Sequence, residues 1–327
     1  MAHLVAAFGT SHSPQLSMPA DGWGERGQED RRNRTLYTIP EGRHVDYDEL
    51  AQTADPAVAK ELSADIYQRR FDQNQAGIAR VAEAVAAAEL DVLLVVGDDQ
   101  KEAYQDDNMP VLAVFWGDKV PYYPRDYSKL PPSFAQTFWA YPKETVMYEN
   151  NPELALHLID SLMDQGVDVA HSKYYREGQS ITHAVQFVTA RVLGSKQVPV
   201  LPVIQNTYFP PNQPRPRRSY EFGAAIRNAV ETWKSDARVG IIASGGLSHF
   251  VVDEELDRAV LKALAEKDIT YLTSIPVERI QSGTSEIRNW VTVAGAAQHL
   301  DCKVIDYVPC YRSLAGTGCG MGFAAWS

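Results

Sequence analysis

The chain has 327 residues, 31 Lys and Arg against 42 Asp and Glu, and a formal charge of -11. Apolar residues make up 45% and charged residues 22%, enough to bury a core and too apolar for a disordered chain. The acidic balance argues against a nucleic-acid grip or an anionic membrane surface. Three cysteines without a CxxC pair argue against a disulfide framework. No stretch is apolar for long enough to span a bilayer, and the first residues lack the basic region of a signal peptide. The expectation is a cytoplasmic protein.

In chain order, Leu4 to Phe8 is a short apolar run closed by Gly9. A polar excursion over 13–49 follows, of a length that in a compact domain is usually functional. Asp55 to Leu90 has a helical pattern with Ala-rich turns, and 91–97 (DVLLVVG) is an unbroken apolar run, as in a strand buried on both faces. Strands are expected at 111–116, 167–170, 198–206 and 239–246, with a last one at 302–308. Helices are expected at 152–165, 182–193, 218–234, 253–266 and 285–300. This alternation predicts a single α/β domain around a mainly parallel or mixed central sheet flanked by helices.

Ligand sites in open α/β sheets lie beyond the carboxyl ends of the strands. Three apolar runs end in polar clusters: Gly9-Thr10-Ser11-His12, Gly97-Asp98-Asp99-Gln100 and Ser244-Gly245-Gly246-Leu247-Ser248-His249. A fourth cluster, Ser282 to Glu286, opens the helix that holds Trp290. Each has a plain structural reading. Asp98 and Asp99 suit a cap, Glu286 suits the first turn of a helix, and Gly245-Gly246 without a P-loop Lys is weak evidence for phosphate. The combination of imidazoles and carboxylates at one sheet edge is what points to a site.

As an ordered set, GTSHSP, WGERGQEDRRN, DVLLVVGDDQKE, PVIQNTYFPPNQP, IIASGGLSHF and SGTSEIRNW resemble the class III extradiol ring-cleavage dioxygenases, closest to the 3-O-methylgallate dioxygenase branch. The resemblance implies a non-haem Fe(II) site with two His and one carboxylate. It carries the first ligand onto His12, the carboxylate onto Glu286, the catalytic base onto His249 and a substrate-contacting imidazole onto His183. It implies a small aromatic diol and O2 as partners, and a homodimer.

One position departs from the family pattern. Where the protocatechuate enzymes have a second His ligand, this chain has Gln100, and an amide oxygen is a harder, weaker ligand than imidazole. Three readings stay open: Gln100 ligates, His44 of the excursion replaces it, or the site is crippled. The excursion is placed to fold back over the sheet edge, which favours His44. Asn206, Tyr208, Tyr311 and Arg312 are candidate substrate contacts, Arg312 for a substrate carboxylate. The ring could be gallate-, protocatechuate- or dihydroxypyridine-type. A metal-dependent hydrolase and a non-catalytic binding relative on the same scaffold are the rival readings.

Overall fold

The computed structural model describes residues 1–327, the side chain of Tyr127 excepted. Its strands are β1 (His3–Thr10), β2 (Val92–Gly97), β3 (Leu112–Phe115), β4 (Lys119–Tyr122), β5 (Val146–Glu149), β6 (Ala170–Ser172), β7 (Val200–Gln205), β8 (Arg238–Ser244), β9 (His249–Val251), β10 (Cys302–Tyr311) and β11 (Thr317–Trp326). The central sheet runs β10-β11-β1-β8-β2-β7-β3-β6, with β9 added on β11, while β4 and β5 form a separate ribbon. β1, β8, β2 and β7 are mutually parallel. The pairs β1–β11, β10–β11, β9–β11 and β3–β7 are antiparallel. The sheet is therefore mixed, as expected.

Both faces of the parallel block are covered. Val92, Leu94 and Val96 of β2 join one core, beneath the helices Pro152–Asp164, Pro216–Thr232 and Ile287–Ala296. Leu93 and Val95 point the other way, toward the helix Ala64–Ala87. That helix buries Tyr67, Arg70, Asn74, Ile78, Val81 and Val85, the three-to-four spacing of one helical face. This two-sided burial explains why β2 reads as a continuous apolar run.

Several boundaries differ from the sequence reading. The helix expected at 182–193 starts at His183 and widens into a π-type turn over Val188–Leu193. The strand expected at 167–170 lies at Ala170–Ser172. The largest difference is β11, a ten-residue strand beyond the last one foreseen. Its sequence, TGCGMGFAAW, carries three glycines, which are weak strand formers. One of them answers to packing: a Cβ on Gly320 would sit 1.9 Å from Asp257 Oδ2.

Candidate metal centre

The carboxyl ends of β1, β8 and β2 lie side by side, so the residues just beyond them share one edge of the sheet. His12 follows β1, Asp98 follows β2, and Ser244 closes β8. The segment Ser282–Glu286 brings Glu286 over these ends, and His183 arrives at the start of its own helix. As a result His12, Asp98, His183 and Glu286 offer ligand atoms within 4.8 Å of one another. All but His183 are buried.

The hydrogen bonds orient each imidazole. His12 Nδ1 lies 3.1 Å from Ser244 Oγ, whose own proton goes to the Ala184 carbonyl at 2.7 Å. Ser244 therefore accepts from His12 Nδ1, and His12 Nε2 is left to face Glu286 Oε2 at 3.1 Å. His183 Nδ1 is 2.7 Å from Glu102 Oε2, and its Nε2 points at His12 Nε2, 3.1 Å away. His249 Nδ1 is 2.9 Å from the Leu247 carbonyl, which leaves its Nε2 at 3.2 Å from Glu286 Oε1. Three rings are thus held through Nδ1 and present Nε2 inward. A ligating His is typically fixed in this way by an acceptor on its other nitrogen.

The carboxylates are equally constrained. Glu286 Oε2 accepts from the Gly246 amide at 2.6 Å. Asp98 Oδ1 accepts from Asn289 Nδ2 at 3.3 Å, whereas Asp98 Oδ2 is buried without a hydrogen-bond partner. An orphaned carboxylate oxygen at zero exposure is costly. It lies 3.7 Å from His183 Nε2, on the side of the cluster.

The charges respond to one another. Burial raises the Asp98 carboxyl and the nearby Glu286 adds to this, to about 6. Burial also opposes ionisation of Glu286, but His12 and His249 outweigh it and hold its carboxyl well below the usual range. Burial lowers His183, yet the Glu102 and Asp98 carboxylates carry it up to about 10. His249 likewise rises to about 9, because Glu286 outweighs burial. Opposed shifts of this kind in a cleft are the electrostatic pattern by which candidate functional sites are picked out.

His249 is seated tightly. A Cβ on Gly246 would lie 2.4 Å from its Cε1, and one on Gly283 would lie 2.1 Å from its Cδ2. Thr284 clamps its backbone, accepting from His249 N at 2.9 Å and donating to His249 O at 2.8 Å. Tyr37 of the excursion donates to the same hydroxyl.

A cavity of about 600 Å³ opens onto the cluster. Its floor holds His12, His183, His249 and Glu286, and its apolar wall includes Leu130, Phe134, Ile181 and Phe250. Ser13, Pro14, Gln15 and Arg26 line it from the excursion. Leu130, Phe134 and Tyr141 contribute wall from a segment in which the sequence reading placed no site residue.

The remaining candidates fall elsewhere or do other work. His44 is exposed, with Nδ1 3.3 Å from the Leu36 carbonyl, and it is absent from the cluster. The physical reason is local: Tyr37 and His44 pair as an antiparallel bridge, and Leu36 and Val45 beside them pack with Val251 and Ala315. The excursion therefore folds on itself there instead of reaching the sheet edge with its imidazole. Gln100 does reach the site, its Nε2 3.4 Å from Glu286 Oε1. Asn206 is spent on the Phe209 carbonyl and on Asn212, at 2.7 and 2.6 Å. Tyr311 donates to Glu254 at 3.1 Å and borders a different cleft. Tyr208 lines a neighbouring cleft with Phe250. Arg312 lines the cavity, but its fork is taken by Asp30 at 2.7 and 2.9 Å. Asp98 and Glu102 were legible only as cap and loop carboxylates, since nothing local in the sequence says which way they point.

A model of the catalytic LigB subunit of aromatic ring-opening dioxygenase matches residues 64–320. That span contains Asp98, His183, His249 and Glu286, and leaves His12 outside. The 2,3-dihydroxyphenylpropionate/2,3-dihydroxicinnamic acid 1,2-dioxygenase of Photorhabdus laumondii subsp. laumondii is 35% identical over 101 residues, 31% of this chain and 30% of that protein. The protein of the same name from Azotobacter vinelandii is 33% identical over 97 residues, 30% of this chain and 29% of that protein. Each alignment spans under a third of the relative's length.

Proposed function

The chain belongs to the family of catalytic LigB subunits of aromatic ring-opening dioxygenases, and from that premise we propose that it is a non-haem Fe(II) extradiol dioxygenase. It cleaves a catechol-type ring beside its vicinal diol. The observation that carries this reading is the convergence of two imidazole Nε2 atoms, from His12 and His183, on the buried carboxylates of Glu286 and Asp98. Two imidazoles with a carboxylate are the donor set of the oxygen-using Fe(II) enzymes. The unpartnered Asp98 Oδ2 fits a cation beside it. His12, His183 and Glu286 would hold the metal, with His183 taking the place of the family's second His. A metal held there would supply Lewis acidity toward the diol and redox chemistry toward O2.

The protein's own groups do the rest. His249 presents Nε2 toward the cluster because Nδ1 is tied to the Leu247 carbonyl. With the Glu286 charge, which raises His249 in the metal-free chain, committed to the metal, Nε2 would be free to take the proton of a substrate hydroxyl and return it as the ring opens, a pair of roles suited to imidazole. Phe134, Ile181 and Phe250 line the cavity and would offer the ring an apolar wall. One ring carbon–carbon bond next to the diol breaks, and both oxygen atoms of O2 enter the product. The substrate supplies all the electrons, so no further reductant is required.

The substrate class is a catechol carrying an anionic substituent. The relatives are named for a 2,3-dihydroxyphenylpropionate, and gallate- and protocatechuate-type acids share that chemistry. Arg26 lines the same cavity as the cluster, where it is shared with Glu29 at 2.7 Å. Anaerobic reconstitution with Fe(II), followed by O2 uptake against a panel of catecholic acids, tests the reading. Uptake with ring opening is expected, and none with any ring diol would overturn it. Metal content separates the ligand sets: His183→Ala is expected to lose iron and Gln100→Ala to keep it.

A further inference from the structure

Glu102 is absent from the ligand cluster, yet it touches it through one of its members. Its Oε2 accepts from both His183 Nδ1, at 2.7 Å, and the His183 backbone amide, at 2.8 Å. Its Oε1 accepts from Arg125 Nη2 at 2.8 Å. Each oxygen thus faces a donor, and the carboxylate bridges the first turn of the His183 helix to the loop that carries Arg125. Asp99 organises the loop from below, accepting from the backbone amides of Glu102, Ala103 and Tyr104 at 3.2, 2.8 and 3.2 Å.

His183 needs such a hold. It is the least buried member of the cluster, with a side-chain exposure of 20%, against 3% for His12 and 1% for Glu286. The other inward-facing rings are anchored by a strand-end hydroxyl or a backbone carbonyl. His183 depends for its orientation on a side chain five positions beyond the end of β2.

The geometry points to Glu102 as a positioning residue for the metal centre: it holds His183 by Nδ1 so that Nε2 is directed at the metal, and Arg125 holds Glu102 in turn. The inference rests on the ligand set proposed above and extends it beyond the atoms that would touch the ion. Acceptors behind a ligating His typically contribute about 10–100-fold in metal affinity.

The test is metal affinity, measured without substrate or O2. Fe(II) under argon is titrated against a chromogenic chelator, and Co(II) binding is followed by its visible absorption. Glu102→Ala is expected to weaken affinity by about 10–100-fold and to alter the Co(II) spectrum. Arg125→Ala is expected to have a smaller effect in the same direction. The decisive comparison is Glu102→Gln, whose amide oxygen can still accept from His183 Nδ1 and is expected to recover most of the affinity that Glu102→Ala loses. An equal loss in both variants, or no loss in Glu102→Ala, overturns the assignment. Glu286→Ala, run alongside, separates this from the metal centre itself. If it loses affinity while Glu102→Ala does not, Glu102 alone is wrongly assigned. If both bind as the unsubstituted chain does, the centre falls and Glu102 with it.

Discussion

Two regions meet at the cavity, and they are built on different physics. The strand-end edge takes His12, Asp98 and Ser244 from neighbouring parallel strands, so their separation follows from the spacing of the sheet. The excursion over 13–49 has no such frame. Its charged pairs Arg31–Asp48 and Arg43–Glu49 are exposed, and exposed pairs contribute little. It is tied down by Asp30, which forks onto Arg312 and accepts from Thr317 in the interior, and by Tyr37 behind Thr284. The contrast teaches a division of labour: the candidate ligands are placed by sheet geometry, and the excursion supplies wall and support.

The sharpest way to break this division is at the edge. Glu286→Ala removes the carboxylate that faces both His12 and His249; it is expected to abolish metal loading and turnover, with normal metal stoichiometry as the contrary result. His249→Phe is expected to keep the metal and lose turnover by about 10²–10⁴-fold, read from metal analysis beside steady-state rates. Full activity would remove His249 from the mechanism.

The excursion's anchor should be costly in stability. Asp30→Ala leaves Arg312 buried without its partner, and breaking a buried pair in this way costs about 3–5 kcal/mol. Urea unfolding checks it, and a loss below about 1 kcal/mol would show the anchor to be dispensable.

A pH dependence should appear on the rigid side. Asp257 is fully buried beneath the His249 turn, where it accepts from Ser248 and Tyr307. Burial raises its carboxyl to about 7, and the Ser248 and Tyr307 bonds only partly offset this. The folded chain therefore keeps a proton that the unfolded chain has released. This group's contribution to stability is largest below pH 4 and declines as pH rises from about 4 to 7. Asp257→Asn is expected to flatten that part of the stability profile; an unchanged slope would assign it to other groups.

The smallest effect is expected at His44. His44→Ala should leave metal content unchanged and stability within about 0.5 kcal/mol, as at an ordinary surface position. Iron loss in that variant would restore it to the centre.

The sequence by itself carried the parallel strands and the residues at their ends. β2 and β8 are unbroken apolar runs because both faces are covered, and the polar residues that follow can only project from the sheet edge. His12 and His249 were legible as strand-end imidazoles for that reason, and Glu286 through the ordered motifs of the resemblance. Tertiary structure alone decided what depends on packing between distant segments. β11 hid behind its glycines, of which Gly320 admits the close approach of Asp257. His44 was claimed by its own hairpin with Tyr37. His183 meets, beside the cluster, a carboxylate 81 residues away in the chain. Local pattern determines which face of an element is apolar, whereas the direction of a polar side chain is set by partners that only the folded chain assembles.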